Sequence, residues 1–220
     1  MEEAGHFLPG TITATVKKCT AAGGEAVAIK SDLAVAEDRG NLIAETRERF
    51  GPVDILVNNA AVTWFVPVHD FSEKRFRTMM DVQVWAPFEL AQACLPSMLE
   101  RGDGWILNIS SHAAIHPEAQ APGGHGGTVY GMCKAALERF TTGLAQEVYD
   151  AGVGVNVISP GLVATPGVVH HKLINENNKD RVTPVEHMAE ACLRLCYGDA
   201  KSLTGRIDYA DQVIKEFSLE

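Results

Sequence analysis

The sequence predicts an α/β protein in which helices cover both faces of a doubly wound, mostly parallel sheet. Predicted strands and helices alternate along the chain, which is the order that crossover connections between parallel strands produce. The predicted strands are short and almost continuously apolar, as is typical of strands buried on both faces. The chain has 220 residues, of which 46% are hydrophobic, so we expect a single domain over residues 1–220.

The first predicted elements are a helix, a strand and a second helix. Residues Thr11 to Thr20 have helical character and are followed by a pair of glycines, which commonly end helices. The apolar run Ala26–Lys30 predicts a short strand. Asp32 follows this run and can begin a helix from about Val35 to Phe50, which a Gly-Pro pair ends.

The middle of the chain predicts two strands that flank a long helical region. Val53–Val57 and Trp105–Ile109 are apolar runs of strand length. Ser72 can cap a helix or helix pair that extends to about Glu100. We expect Pro87 to kink or interrupt it, because proline lacks the amide proton that an interior turn needs.

The last part of the chain completes the alternating pattern. A loop rich in proline and glycine spans His112–Gly127, and a strong helix follows over Thr128–Tyr149. Val153–Ile158 predicts the next strand. A helix over Pro184–Cys196 and a short strand over Gly205–Tyr209 close the predicted fold.

Composition excludes several classes of partner. The chain carries 19 Lys and Arg against 28 Asp and Glu, a net charge of −9, so we expect no nucleic-acid partner. No apolar run reaches the roughly 18 residues of a membrane helix, and the acidic start lacks a signal sequence, so we expect a cytoplasmic protein that does not bind membranes. The five cysteines form no Cys-x-x-Cys pair, so we expect free thiols and no metal site.

Polar and turn-forming residues follow three of the predicted strands directly. Asn59, Ser111 and the pair Pro160-Gly161 each stand at such a strand end. In open parallel sheets the ligand crevice lies outside the carboxyl ends of the strands. We therefore expect these residues to lie along one ligand-binding edge.

Tyr130 and Lys134 carry the sharpest chemical signal. Four residues apart on a helix, they share one face. A free phenol has a pKa near ~10, and a neighbouring ammonium favours the phenolate and lowers that pKa. Such a phenol can give a proton to a carbonyl oxygen or take one from an alcohol. The Ser111 hydroxyl can hydrogen-bond the same substrate oxygen and stabilise the charge that develops on it.

These motifs occur in a fixed order along the chain: Asn58-Asn59-Ala60, then Ser110-Ser111, then Tyr130 with Lys134, then Ser159-Pro160-Gly161. The ordered set resembles the short-chain dehydrogenase/reductase family, which has a Rossmann-like fold. The resemblance covers about Leu8 to Tyr209 and is especially close over Gly51–Ala60. It implies an NAD(P)-dependent oxidoreductase that transfers hydride between nicotinamide and a small alcohol or ketone.

The resemblance also implies a role for each site residue. Tyr130 would be the catalytic acid/base, Lys134 would lower its pKa and hold the nicotinamide ribose, and Ser111 would orient the substrate oxygen. The implied NAD or NADP contacts are Asp32 and Leu33 at the adenine, Asn59 and Ala60 along the cofactor groove, and Pro160, Gly161, Val163 and Thr165 around the nicotinamide. The helices near Ser72–Glu100 and Thr128–Tyr149 form subunit interfaces in the family, which implies a homodimer or homotetramer.

The sequence departs from the family pattern at three points, one of which is the long separation between Ser111 and Tyr130. The family opens with a strand, a glycine-rich turn and a helix that bind the cofactor pyrophosphate, and no such motif precedes Asp32. We therefore expect an N-terminally truncated sheet that lacks the first two strands and the first helix, with cofactor binding weakened or lost. Gln83 stands where the family usually has an asparagine that helps hold a water in a proton relay to the lysine.

Two alternatives to an active oxidoreductase follow from these residues. The first is a non-catalytic truncated remnant or interaction protein with weak or no cofactor binding. Taken singly, Asp32 can be a helix cap and Asn59 a turn residue. The second is a hydrolase using Ser111 with His112, which we disfavour because adjacent residues at a strand end point in different directions and no Gly-x-Ser-x-Gly elbow occurs.

Overall fold

The computed structural model describes residues 10–118, 126–170 and 173–219, and the fold below refers to those ranges. Its centre is one sheet in which the strands lie in chain order and every neighbouring pair is parallel. The strands are β1 (Ile55–Asn58), β2 (Gly104–Ile109), β3 (Val153–Ser159) and β4 (Ile207–Tyr209). Each parallel neighbour is reached through helices, so the predicted parallel α/β architecture is confirmed.

Helices supply the connections and cover the sheet. The described helices are α1 (Ile12–Ala21), α2 (Ala36–Phe50), α3 (Glu73–Met80), α4 (Ala86–Arg101), α5 (Thr128–Glu147), α6 (Pro166–His170), α7 (Val185–Arg194), α8 (Ala200–Leu203) and α9 (Ala210–Phe217). The predicted helices are found within a few residues of their expected ends. The sequence did not predict the short helices α6, α8 and α9.

Local chemistry sets several of the helix ends. The Thr11 side chain accepts the Ala14 amide at 3.1 Å and caps α1, and Ser72 accepts the Arg75 amide at 3.4 Å and caps α3. Gly102 adopts a left-handed conformation with φ of 66° and ends α4, because glycine enters this region without a Cβ clash.

The helical region from α3 to α4 is interrupted before Pro87 rather than at it. Residues Asp81–Trp85 form a π-helical turn between the two helices. Pro87 lies in the first turn of α4, where its missing amide proton breaks no hydrogen bond. The side chain of Gln83 is buried within the π turn, and its Nε2 donates to the Val62 carbonyl at 2.9 Å.

The core lies on both sides of the sheet, since every residue of β2 and β3 is buried. Alternate side chains of β2 point to opposite faces. One cluster joins the sheet to α2, α4 and α5, and the other joins it to α7 and α9. The first includes Leu90, Met98, Ile106, Leu144 and Val155, and the second includes Leu107, Ile158, Leu195 and Val213.

A buried chain of polar side chains crosses the sheet near its carboxyl edge. Asn58 Nδ2 donates to Asn108 Oδ1 at 2.8 Å, and Asn108 Nδ2 donates to Thr141 Oγ1 at 2.8 Å. The Thr141 hydroxyl donates in turn to the Leu137 carbonyl. The chain fixes β1, β2 and α5 relative to one another, because its buried groups lose their partners if any element shifts.

The predicted strand over Ala26–Lys30 is wrong. These residues form no ladder in the described structure, and residues 26–29 line a groove with Ile12 of α1 and Phe50 of α2. A strand requires a neighbour, and within the described ranges β1 pairs only with β2. Ile55 and Val57 on β1 are accordingly 45% and 47% exposed. The apolar run therefore packs against helices instead of extending the sheet.

The remaining structural facts concern membrane spans, metal ligands, thiols and the extent of the described residues. None of the described helices combines the length and the hydropathy needed to cross a bilayer. No group of three or more His, Cys, Asp or Glu side chains within the described ranges is arranged to hold a metal ion. All five cysteines are free thiols. Part of the predicted loop His112–Gly127, residues 119–125, lies outside the described residues.

Candidate active site

The carboxyl ends of the strands bring three predicted positions to one edge of the sheet. Asn59, Ser111 and Pro160 lie one or two residues beyond the ends of β1, β2 and β3. The register pairs Asn58 with Asn108 and Ile109 with Ile158, so the three strands end at the same level. The three positions therefore lie along one edge of the sheet, and a ligand crevice at this edge stays a prediction.

The Ser111 hydroxyl is held beside the phenol of Tyr130. Ser111 caps a short 3-10 turn over His112–Ala114, and its Oγ accepts the Ala113 amide at 3.2 Å. A hydrogen bond with Ser111 lowers the pKa of Tyr130, but burial has the larger effect, and the pKa is raised above 10 overall. The structure therefore joins two of the three predicted catalytic residues directly.

Lys134 extends from the next turn of α5 toward the same strand end. Its side chain is 3% exposed, and Nζ donates to the Ile109 carbonyl at 2.8 Å. Nζ lies 5.6 Å from the centre of the Tyr130 ring. Burial lowers the pKa of Lys134 from 10.5 to about 8. An ammonium has three donors, so two remain for a ligand beyond the Ile109 carbonyl.

The net shift of the Tyr130 pKa is upward, since burial has the largest effect on it. A lowering of this pKa by the Lys134 ammonium stays a prediction. A phenol is already protonated near neutral pH at its ordinary pKa, and the upward shift favours this form further.

An apolar wall lies on one side of the Tyr130 ring. Phe65 meets the ring edge to face, with ring centres 6.2 Å apart. Val62, Trp64 and Met80 pack in the same cluster as Tyr130. Residues 62–65 follow β1, so the loop after one strand encloses the phenol carried by α5. Such a wall limits water around the hydroxyl.

The segment after β3 forms the opposite border of the edge. Gly161 has φ of 73°, and a Cβ at this position would lie 3.0 Å from Thr183 Oγ1. The Thr183 amide donates to the Leu162 carbonyl at 2.8 Å, which fixes the segment against the chain before α7. Val163 is buried and Thr165 is exposed. The contacts of these residues with nicotinamide, which the family resemblance implies, stay a prediction.

The residues at this edge fit the nicotinamide-ribose half of a dinucleotide. Lys134 has two donors left for ribose hydroxyls, and Asn59 and Ala60 are exposed beyond β1. Ser159 Oγ at the end of β3 is buried without a hydrogen-bond partner among the described residues. No glycine-rich turn between a strand and a helix occurs in the described ranges to hold a pyrophosphate.

Asp32 and Leu33 have a local role in the structure. The Asp32 carboxylate accepts the Ala34 amide at 2.9 Å, and the Leu33 carbonyl accepts Arg39 Nη1 at 2.7 Å. Both contacts fix the turn that leads into α2. The described hydrogen bonds of these two residues are local ones, and their expected contacts with adenine stay a prediction.

Two contacts around Ser111 were not predicted from the sequence. Ser110 Oγ donates to Glu138 Oε1 at 2.6 Å, and the ring of His112 stacks on that of Tyr209 with centres 4.3 Å apart. Glu138 stands one helical turn after Lys134, and this i,i+4 spacing could have identified it. No local pattern identifies Tyr209 as a neighbour of His112, because Tyr209 is the last residue of β4 and lies almost 100 residues further along the chain.

The sequence is similar to those of known oxidoreductases. A family model described as short chain dehydrogenase matches residues 8–175. An uncharacterized oxidoreductase of Thermotoga maritima is 32% identical over 205 residues, which span 88% of this chain and 78% of the relative. A 3alpha-hydroxysteroid dehydrogenase of Mediterraneibacter gnavus is 34% identical over 172 residues, which span 76% of this chain and 66% of the relative.

Solved structures extend the similarity to the fold. L-sorbose reductase from Gluconobacter frateurii, complexed with NADPH and L-sorbose, superposes with a TM-score of 0.77 at 26% identity. The superposition covers 90% of this chain and 80% of that structure. The parallel sheet with helices on both sides is therefore the Rossmann-like fold that the sequence predicts. The match to the family model spans most of the chain, and the chain belongs to the short chain dehydrogenase family.

Proposed function

We propose that this chain is an NAD(P)-dependent oxidoreductase that transfers hydride between nicotinamide and a small alcohol or ketone. The observation that carries the proposal is the convergence of Ser111, Tyr130 and Lys134 at the carboxyl edge of the sheet. The similarity to an L-sorbose reductase complexed with NADPH supports the same class of cofactor and a small polar substrate.

In the proposed reduction, Tyr130 donates its phenolic proton to the carbonyl oxygen of the substrate. The bound cofactor supplies the hydride that the carbonyl carbon receives, so a ketone gains one hydride and one proton and becomes an alcohol. The phenol suits this role because it is protonated near neutral pH, and burial raises its pKa further. The Ser111 hydroxyl orients the carbonyl oxygen and stabilises the negative charge that develops on it.

Lys134 has two proposed duties at the same edge. Its free N–H groups hold the ribose hydroxyls, and its positive charge stabilises the phenolate that remains after proton transfer. Asn59, Ala60 and Gly161 border the nicotinamide half of the site. Because the described residues include no cradle for the pyrophosphate, we propose that the chain binds NADH and NADPH weakly.

The helices α4 and α5 carry the proposed subunit interface. An apolar groove between them is lined by Phe88, Leu95, Leu99, Phe140 and Leu144. Trp85 stacks on Phe88 at 5.4 Å between ring centres, and Phe88 packs on Phe140 at 5.6 Å. We propose that this face joins two copies into a homodimer, which can pair further into a tetramer.

Turnover of a panel of small ketones with NADH and NADPH tests the proposed function. We expect slow reduction by the wild-type protein, and a loss of about 100-fold or more for Tyr130→Phe, because the proton donor is absent. Cofactor affinity of this variant, measured by fluorescence titration, should stay at the wild-type value.

Two results would contradict the proposal. One is undiminished turnover by Tyr130→Phe. The other is a wild-type protein that shows no saturation with either cofactor at millimolar concentration and no turnover. The second result would favour the alternative of a non-catalytic interaction protein.

A further inference from the structure

A glycine occupies the helix position between the two principal site residues of α5. Gly131 follows Tyr130 directly and precedes Lys134 by less than one turn. Glycine is the weakest helix former apart from proline, because its backbone loses the most conformational freedom on folding. Its backbone angle at this position lies in the ordinary negative range, so conformation does not require a glycine.

Close packing accounts for the glycine. A Cβ on residue 131 would lie 2.6 Å from the carbonyl oxygen of Ala113. Carbon atoms in proteins do not approach an oxygen this closely without strain, and the oxygen belongs to the backbone, which cannot move aside as a flexible side chain can. Gly131 therefore sets how near α5 lies to the turn after β2.

The same turn holds the Ser111 hydroxyl. Ser111 Oγ accepts the amide of Ala113 at 3.2 Å. The residue whose carbonyl faces Gly131 thus fixes the hydroxyl that faces Tyr130. A methyl group at residue 131 would push Ala113 away from α5 and take Ser111 with it.

Two other contacts keep α5 and the end of β2 from separating as a unit. Lys134 Nζ binds the Ile109 carbonyl at 2.8 Å, and Glu138 accepts the Ser110 hydroxyl at 2.6 Å. Both lie further along α5 than Gly131. A displacement at Ala113 would therefore tilt the 3-10 turn locally and leave the rest of the strand end in place. The residue displaced with the turn would be Ser111.

We propose that Gly131 is a positioning residue that sets the placement of the Ser111 hydroxyl beside the Tyr130 phenol. The inference rests on the proposed function, since it assigns a role within the same site. Gly131 touches neither substrate nor cofactor in this proposal. It acts through Ala113 and Ser111.

The variant Gly131→Ala tests the proposal against a matched glycine. Gly40 lies in α2, where a Cβ would meet nothing within 4 Å, so Gly40→Ala makes the same change without a close contact. We expect Gly131→Ala to lower kcat about 100-fold, the effect of a misplacement near 1 Å, with the KM for cofactor unchanged. Gly40→Ala should keep the wild-type kcat and raise the unfolding midpoint.

A double-mutant cycle with Ser111→Ala separates positioning from general damage to the fold. If Gly131 acts through Ser111, adding Gly131→Ala to Ser111→Ala should lower kcat far less than it lowers the wild-type kcat. An equal loss in both backgrounds would overturn the proposal, and so would a Gly131→Ala protein with wild-type kcat.

Urea unfolding tests the role of Gly131 even if the proposed function is wrong. If the wild-type protein turns over no ketone, the double-mutant cycle is measured with unfolding midpoints in place of kcat. A smaller midpoint loss from Gly131→Ala in the Ser111→Ala background supports the positioning role, and equal losses refute it. A variant that does not fold is remade in the Gly40→Ala background. Failure to fold there too would mean that Gly131 serves folding alone, which also overturns the inference.

Discussion

Burial controls the chemistry of the two titrating residues at the site. It raises the pKa of Tyr130 and lowers that of Lys134 to about 8, because a low-dielectric surrounding disfavours the charged form of each group. The sequence identifies the phenol and the ammonium from their spacing, but it does not reveal how deeply they are buried. For this reason the positions of the pair are predictable and the direction of the Tyr130 shift is not.

The buried lysine makes stability depend on pH. Its folded-state pKa of about 8 lies below the ordinary 10.5, so between these values the unfolded chain holds a proton that the folded protein has lost. The free energy of unfolding therefore rises with pH across this window. The full contribution is present above 10.5 and is lost as the pH falls through 8. At ~1.4 kcal/mol per pKa unit, the change is about 3 kcal/mol.

The variant Lys134→Met isolates this contribution from other groups that titrate at high pH. Its stability relative to the wild-type protein should fall by about 3 kcal/mol between pH 8 and pH 10.5, since only the wild-type protein gains from deprotonation. Urea unfolding of both proteins at several pH values measures the difference. Lys201→Met, at an exposed residue of α8, should give parallel curves. A constant difference for Lys134→Met would refute the assigned burial.

At the scale of elements, a buried arginine joins α2 to α4. Arg39 is 4% exposed, its Nε donates to the Glu89 carboxylate, and its Nη1 donates to the Leu33 carbonyl at 2.7 Å. The sequence cannot show the pairing, because Glu89 lies 50 residues further along the chain.

Arg39→Met should destabilise the protein by about 2 kcal/mol, because it removes charge-assisted hydrogen bonds of a buried guanidinium whose partner Glu89 is partly exposed. Urea unfolding measures the loss. Arg49→Met is the matched control on the same helix, since Arg49 is exposed and pairs with Glu45 at 3.8 Å. An exposed pair of this kind contributes about 0.5 kcal/mol or less. Equal losses for the two variants would show that the Arg39 contacts add no stability.

Across the whole molecule, elements with local signals were predictable and elements that depend on distant partners were not. The strands β2 and β3 were predictable from their continuous apolar runs, which occur because both faces of these strands are covered. Ala26–Lys30 has the same local pattern but lacks a neighbouring strand.

The helices α4 and α5 expose apolar side chains around the groove between them. Leu99 is 44% exposed beside Phe88, which is 38% exposed. Apolar surface of this kind on two adjacent helices is typical of subunit interfaces. In a two-fold dimer the same patch meets its own copy, so a charge placed on it is brought close to an identical charge.

Leu99→Glu should therefore convert the proposed dimer into monomers, because association would bury two like charges in an apolar groove. Light scattering coupled to size-exclusion chromatography measures the mass of each species. Leu193→Glu is the control, since Leu193 is an exposed leucine on α7, which covers the other face of the sheet. It should keep the wild-type mass. A monomeric wild-type protein, or a Leu99→Glu protein of unchanged mass, would place the interface elsewhere and leave the groove between α4 and α5 without its proposed role.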